Sequence, residues 1–91
     1  MTRLSDAEID EQLRDGEWTR EGDAIVREYE LRDFAQAMAM ANRVAAAAEE
    51  AGHHPDIVVH AYKHLRLTLS THSEGGLTAA DFALARTIDA L

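Results

Sequence analysis

The sequence predicts a single α+β domain in which a four-stranded antiparallel sheet carries its helices on one face. Two capping signals and one long apolar periodicity predict three helices. Four segments with alternating apolar residues predict four strands. The resulting order is α-β-β-α-β-β-α, with no internal repeat or linker over residues 1–91. Such an order favours one layer of sheet against one layer of helices. The other face of the sheet is then polar or meets a partner.

The first helix is predicted to begin after Ser5. Glu8 follows three residues later, and this pair forms the pattern of a capping box. Leu4 and Ile9 flank the pair as a hydrophobic staple. The helix is expected to run through Leu13 and to end before Gly16.

The segment from Trp18 to Leu31 is interpreted as a β-hairpin. Gly22 and Asp23 provide the turn signal. Beyond the turn, apolar and polar residues alternate with a period of two, and the β-branched and aromatic residues in this run favour a strand.

The segment Arg32–Ala51 has the strongest helical periodicity. Gly52 stands where a residue with a left-handed backbone commonly ends a helix. The predicted buried face consists of Phe34, Met38, Ala41, Ala45 and Ala48, with Ala37 and Val44 beside them.

Two further strands are predicted at Ile57–Tyr62 and Leu65–Thr71. In the second of them three leucines alternate with polar residues, as in an antiparallel sheet with one buried face. Gly75 and Gly76 then interrupt the chain. The last helix begins after Thr78 in a second capping box, with Asp81 at the reciprocal position and Leu77 and Phe82 as the staple.

Composition excludes several classes of function. Seventeen acidic residues against nine Lys and Arg give a formal net charge of −8, which argues against nucleic acid or an anionic membrane as the partner. The chain has no cysteine, so disulfides, thiolate metal sites and thiol nucleophiles are absent. No apolar run is long enough to span a membrane, and no apolar secretory segment is present at the N-terminus. A soluble cytoplasmic protein is expected, and a homo-oligomer would add buried area to so short a chain.

Three of the five histidines are candidates for chemistry. His53 and His54 follow the long helix, and His72 follows the last strand, so all three lie at element ends where sites commonly form. Imidazoles can divide acid and base roles near neutral pH. Glu49 lies one helical turn before His53, where a carboxylate can orient the ring.

Structural interpretations compete with these roles. His53 could simply cap the helix, and the His-His-Pro segment could be only a polar turn. The short ligand spacings typical of metal sites are absent, so no metal is expected. Asp81 has a structural role as the partner of Thr78 in the capping box, and Trp18 is either a packing residue or an aromatic wall for a flat ligand.

The chain resembles the pterin-4a-carbinolamine dehydratases, also called 4a-hydroxytetrahydrobiopterin dehydratases. The resemblance extends from Leu4 to Leu91. It rests on the segments His53-His54-Pro55-Asp56, Leu67-Thr68-Leu69-Ser70-Thr71-His72 and Gly76-Leu77-Thr78, together with Trp18, Glu49, Tyr62 and Asp81.

The resemblance implies a dehydratase that removes water from a 4a-hydroxytetrahydropterin to give a quinonoid dihydropterin, and so recycles the pterin of aromatic amino acid hydroxylases. It implies no metal or organic cofactor, and homodimers or homotetramers. It assigns acid and base catalysis to His53 and His72 without deciding which residue is the acid. The residues implied to bind or surround the substrate are His54, Glu49, Asp81, Trp18, Gly52, Ser70, Thr71 and Ser73.

A second function is compatible with the same scaffold. Members of this family in animals also stabilise dimers of a transcription factor, and related domains act in protein assembly. A non-enzymatic interaction module would not need His53, His54 and His72 together, so the complete histidine set favours the enzyme.

Overall fold

The computed structural model describes residues 2–91 and confirms the predicted order of three helices and four strands. The helices are α1 (Asp6–Leu13), α2 (Phe34–Ala51) and α3 (Ala79–Asp89). The strands are β1 (Thr19–Glu21), β2 (Ala24–Glu30), β3 (Asp56–His60) and β4 (His64–Leu69). Among residues 2–91, no helix combines the length and the apolar character that a membrane crossing requires.

The four strands form one antiparallel sheet in the order β1-β2-β4-β3. Its buried face is centred on Leu65, Leu67 and Leu69 of β4, which are fully buried and belong to one core with residues of all three helices. The opposite face carries polar side chains such as Arg66 and Thr68. The alternation that predicted β4 therefore also predicted which face the helices cover.

Both predicted capping boxes are present. Ser5 with Glu8 starts α1, and Thr78 with Asp81 starts α3. The second helix begins two residues later than predicted because Asp33 is its N-cap and accepts a hydrogen bond from the Gln36 amide at 2.9 Å.

The predicted buried face of α2 is partly wrong. Phe34 is 55% and Met38 38% exposed, and Ala45 is exposed as well. The predicted Ala37, Ala41, Val44 and Ala48 are buried, and Met40, which was not predicted, is buried with them. Apolar residues occur all round this helix, so periodicity alone does not define one face. The smaller side chains face the sheet, which allows close approach of the backbones.

The predicted strand ends also need correction. The strand predicted to reach Tyr62 ends at His60, because Ala61 and Tyr62 adopt left-handed conformations (φ 44° and 53°) in the turn between β3 and β4. The strand predicted to reach Thr71 ends at Leu69. Thr71 instead forms an isolated bridge with Gly76 and closes the loop that carries His72.

Candidate active site

The C-terminus of α2 sets the position of the first candidate histidine. Gly52 adopts the left-handed conformation (φ 64°, ψ 29°), and its amide donates to the carbonyl of Glu49 at 3.2 Å. The next amide, that of His53, donates to the carbonyl of Ala48, also at 3.2 Å. These two bonds form a Schellman motif, which confirms Gly52 as the helix terminator and fixes the backbone that presents His53.

His53 points toward the N-terminus of α3. Its Nε2 atom lies 2.6 Å from Oδ1 of Asp81, and its side chain is 17% exposed. The Asp81 side chain is completely buried. A buried carboxylate requires several hydrogen-bond donors, since desolvation disfavours its charge.

The second oxygen of Asp81 is also bonded. Oδ2 accepts hydrogen bonds from the Thr71 hydroxyl at 2.8 Å and from the Thr78 amide at 2.9 Å. The hydroxyls of Thr71 and Thr78 lie 2.9 Å apart. Because Thr71 gives its only hydroxyl hydrogen to Asp81, Thr78 is the donor in this contact.

This network assigns the protonation of the His53 ring. An ionised carboxylate can only accept hydrogen bonds, so toward an ionised Asp81, whose Oδ2 already accepts two, Nε2 of His53 carries the hydrogen of their shared bond. In the neutral ring, Nδ1 is then the nitrogen with a free lone pair. The capping residue of α3 therefore orients His53 and selects its tautomer.

His54 points to a different partner. Its Nε2 atom contacts a carboxylate oxygen of Glu49, and both side chains are mostly exposed. Glu49 was predicted to orient the ring of His53, and the structure pairs it with His54 instead. Neighbouring residues in an extended segment point apart, so one ring meets α3 and the other meets the end of α2.

His72 lies in a short closed loop between β4 and α3. The bridge between Thr71 and Gly76 closes this loop, and a 3₁₀ turn over His72–Glu74 fills it. Gly75 has a φ of 70°, a left-handed conformation that glycine adopts without strain, and its amide donates to the carbonyl of His72 at 3.1 Å. His72 itself is exposed.

A cavity of about 340 Å³ lies between these segments. Its volume falls within the range of roughly 300–1,000 Å³ that is usual for small-molecule sites. His54 and His72 line it together with the hydroxyl residues Thr68 and Ser70. Ala24 and Gly75 also line the cavity and carry no charge. Two of the three candidate histidines thus meet at one cavity, whereas the ring of His53 does not line it and is turned toward α3.

Several residues implied by the resemblance lie elsewhere. Trp18 is buried in the core, and its indole N–H donates to Asp89 at 2.8 Å, so it does not line the cavity. Gly52 and Ser73 are exposed near the histidines without lining the cavity. Ser70 does line it, and its hydroxyl donates to the backbone carbonyl of Asp23 at 2.8 Å.

Sequence reasoning missed three polar residues that line the cavity: Asp23, Asp56 and Thr68. Asp23 was noted only as a turn residue. Asp56 and Thr68 pair across β3 and β4, so strand register was the signal that could have placed them together. Within residues 2–91, no group of three or more His, Cys, Asp or Glu side chains is arranged to hold a metal ion.

The fold and the site together define a small α+β domain with a histidine-lined cavity at one end of its sheet. A model of the family described as "Pterin 4 alpha carbinolamine dehydratase" matches residues 2–91. The chain belongs to this family.

Curated relatives are similar over nearly the full length. A protein of Thermomicrobium roseum named "Putative pterin-4-alpha-carbinolamine dehydratase" is 52% identical over 94% of this chain and 92% of its own length. A protein of Nocardia farcinica with the same name is also 52% identical, over 97% of this chain and 93% of its own.

Solved structures share the fold. A structure described as a transcriptional coactivator/pterin dehydratase from Brucella melitensis has a TM-score of 0.90 and 36% identity, covering 98% of this chain and 97% of that one. A structure described as a pterin dehydratase-like protein that is a RuBisCO assembly factor in the α-carboxysome has a TM-score of 0.69 and 26% identity. That match covers 84% of this chain and 89% of the other.

Proposed function

We propose that this protein is a 4a-hydroxytetrahydropterin dehydratase that acts by histidine acid and base catalysis. The observation that carries the proposal is the hydrogen bond from His53 to the buried Asp81, beside a cavity lined by His54 and His72. An imidazole held by a buried carboxylate is oriented for proton transfer. Membership of the family supports the choice of a pterin as substrate.

The reaction needs two proton transfers. An acid protonates the hydroxyl at C4a, and the C–O bond then breaks with loss of water. A base removes the proton from N5, and the electron pair of the N–H bond forms the C4a=N5 double bond of the quinonoid product. Imidazoles serve both roles near neutral pH, so His53 and His72 supply the acid and the base without a metal or organic cofactor.

His54 is proposed to bind the substrate rather than to exchange its protons. Its ring lines the cavity and is held by Glu49 at the surface. Because His54 shares the cavity with His72, it is the main competitor of His53 for the second catalytic role. Asp81 and Thr71 are positioning residues, since they act on the substrate through His53.

The test uses a 4a-carbinolamine generated by phenylalanine hydroxylase turnover, with formation of the quinonoid dihydropterin followed by absorbance. The protein is expected to accelerate dehydration, and His53→Ala and His72→Ala are each expected to lower kcat by about 10²-fold or more. His54→Ala is expected to raise KM more than it lowers kcat. No acceleration by the unmodified protein would overturn the proposal, and a larger kcat loss in His54→Ala than in His53→Ala would reassign the catalytic pair.

We further propose that the active protein is a cytoplasmic homodimer or homotetramer. The strand β3 lies at one edge of the sheet and within residues 2–91 pairs only with β4, so its other side can pair with a second copy. Light scattering after size-exclusion chromatography is expected to give twice or four times the chain mass. A monomer at micromolar concentration would contradict this.

A protein-assembly role is the second candidate. It is favoured by the similarity to the structure described as a RuBisCO assembly factor. An assembly role predicts that His53→Ala and His72→Ala retain full function in cells, whereas the dehydratase predicts that they lose it. In a dehydratase-deficient strain, the unmodified protein restores growth if it is a dehydratase and His53→Ala and His72→Ala do not, whereas a protein with only an assembly role restores growth in none of these forms.

A further inference from the structure

The cavity contains two carboxylates that no catalytic role uses. Asp23 lies in the turn between β1 and β2, and Asp56 is the first residue of β3, so different segments bring them to the same cavity. The acidic residues on the adjoining sheet face are paired. Arg66 binds both Glu21 and Glu28, and Lys63 lies 3.3 Å from Glu30.

Asp23 and Asp56 differ from these paired residues. Within residues 2–91 neither carboxylate has an ion-pair or hydrogen-bond partner, and no Lys or Arg side chain lines the cavity. Two arginines, Arg3 and Arg20, line an adjoining cavity that shares Asp23. The guanidinium of Arg3 is directed to the carbonyl of Gly75 at 3.4 Å, and that of Arg20 is paired with Asp6 at 2.9 Å.

The charges around the cavity disfavour an anionic ligand. Proteins bind phosphate and carboxylate groups with Arg or Lys side chains or with convergent backbone amides. Here the lining carries two carboxylates, and its only side chains that can become cationic are His54 and His72. The net charge of −8 adds a long-range repulsion of anionic ligands.

We propose that Asp23 and Asp56 are specificity-determining residues that restrict the site to pterins without an anionic substituent. The inference rests on the proposed function and states which members of the substrate class are accepted. A pterin ring carries N–H groups that can donate to a carboxylate, whereas a phosphate ester on its side chain meets two carboxylates in a lining that contains no Lys or Arg. Neutral hydroxyalkyl pterins are therefore substrates, and phosphorylated ones are rejected.

The test compares two 4a-carbinolamines that differ only by a phosphate ester at the end of the side chain. The variants are Asp23→Asn, Asp56→Asn and the double variant, since asparagine keeps the shape and removes the charge. The control is Asp10→Asn, which removes one negative charge from α1, where the carboxylate is exposed and does not line the cavity.

The unmodified protein is expected to prefer the neutral substrate in kcat/KM. Each cavity substitution is expected to reduce this preference by about three- to tenfold, as for one unit charge about 6 Å away in a solvent-exposed site. The change should appear mainly as a lower KM for the phosphorylated substrate and should shrink with added salt. Asp10→Asn should leave the preference unchanged.

The outcomes separate this inference from the proposed function. If the neutral substrate is dehydrated but the double variant keeps the original preference, or Asp10→Asn changes it equally, the inference is wrong and the dehydratase stands. If neither substrate is accelerated, the dehydratase is wrong. Calorimetric binding of the corresponding neutral and phosphorylated dihydropterins then decides the inference, which fails if the unmodified protein binds both equally.

Discussion

The two capping boxes are built from the same sequence pattern and have different roles in the structure. At α1, the Ser5 amide donates to Glu8 at 2.8 Å and the Glu8 amide donates back to the Ser5 hydroxyl at 3.2 Å, with both residues exposed. At α3, Thr78 and Asp81 make the corresponding pair in a fully buried position. The buried box has a further partner, His53, which the exposed box lacks.

The difference arises from what lies opposite each helix start. The end of α2 and the loop after β4 both face the N-terminus of α3, so Asp81 meets His53 on one oxygen and Thr71 on the other. Glu8 is exposed, and within residues 2–91 Ser5 is the only hydrogen-bond partner of its carboxylate. A capping box is thus a local structural device, and tertiary contacts decide whether its carboxylate also serves a site.

The largest expected difference between the boxes is catalytic. In Asp81→Asn the amide oxygen must face the two donors from Thr71 and Thr78, so its NH₂ group faces Nε2 of His53. The ring must then adopt the opposite tautomer, with hydrogen on Nδ1. We expect kcat to fall by about 10²-fold with little change in KM, measured by steady-state dehydration.

The matched variant at the exposed box is Glu8→Gln. It should retain full kcat, because Glu8 is bonded to Ser5 and does not line the cavity of the histidines. If the two variants lost activity equally, the special role of the buried box would be refuted. Thermal melts of both proteins check that Asp81→Asn remains folded.

The next largest difference concerns stability. Thr78→Ala removes a buried hydroxyl that accepts from the Ala80 amide and contacts Thr71, and should cost about 2 kcal/mol of unfolding free energy. Ser5→Ala removes only an exposed cap and should cost about 0.5–1 kcal/mol. Urea denaturation measures both. Equal costs would mean that burial does not distinguish the two caps.

The capping box of α3 shows how far the sequence predicts the site. The pattern of Thr78 and Asp81 correctly predicts the start of α3, and Gly52 correctly predicts the end of α2. Neither local signal indicates that these helix ends meet, because His53 and Asp81 are 28 residues apart and only the folded sheet brings them together. Asp56 and Thr68 were missed because they too are distant in sequence and are brought together only by the pairing of β3 with β4.

The buried face of α2 shows a different limit. Apolar residues of α2 occur on every side of the helix. The periodicity therefore placed Phe34 and Met38 in the core, although both are exposed. The alternating leucines of β4 carried no such ambiguity, since polar residues separate them. Prediction succeeded in β4, where polar residues separate the apolar ones, and was partly wrong in α2, where alanines extend the apolar residues around the helix.

A smaller effect is expected at Thr71. Thr71→Val removes the hydroxyl that donates to Asp81 and leaves its shape nearly unchanged. We expect kcat to fall by about tenfold, because Asp81 keeps its bonds to His53 and to the Thr78 amide. Thr71→Ser restores the hydroxyl and should restore most of the rate. A serine variant as slow as the valine variant would show that the methyl group, not the hydrogen bond, matters.

The smallest expected effect is the pH dependence of the folding stability that the exposed capping box contributes. Hydrogen bonds from the backbone amide and hydroxyl of Ser5 lower the pKa of Glu8 in the folded protein. Its stabilising contribution is therefore complete above the unfolded pKa, about 4.3, and is lost as pH falls through the lower folded value. The urea midpoint of the unmodified protein should exceed that of Glu8→Gln most at neutral pH. A difference that grew toward pH 3 would contradict this assignment.

The protonation of the His53 ring tests the account most directly. Long-range ¹H–¹⁵N correlation spectra of the side chain, recorded at a pH where the spectra themselves show a neutral ring, report which ring nitrogen carries the hydrogen. We predict hydrogen on Nε2 in the unmodified protein and in Glu8→Gln, and on Nδ1 in Asp81→Asn. A His53 ring that carries its hydrogen on Nδ1, or exchanges between both nitrogens, in the unmodified protein would contradict the claim that the buried capping box holds it.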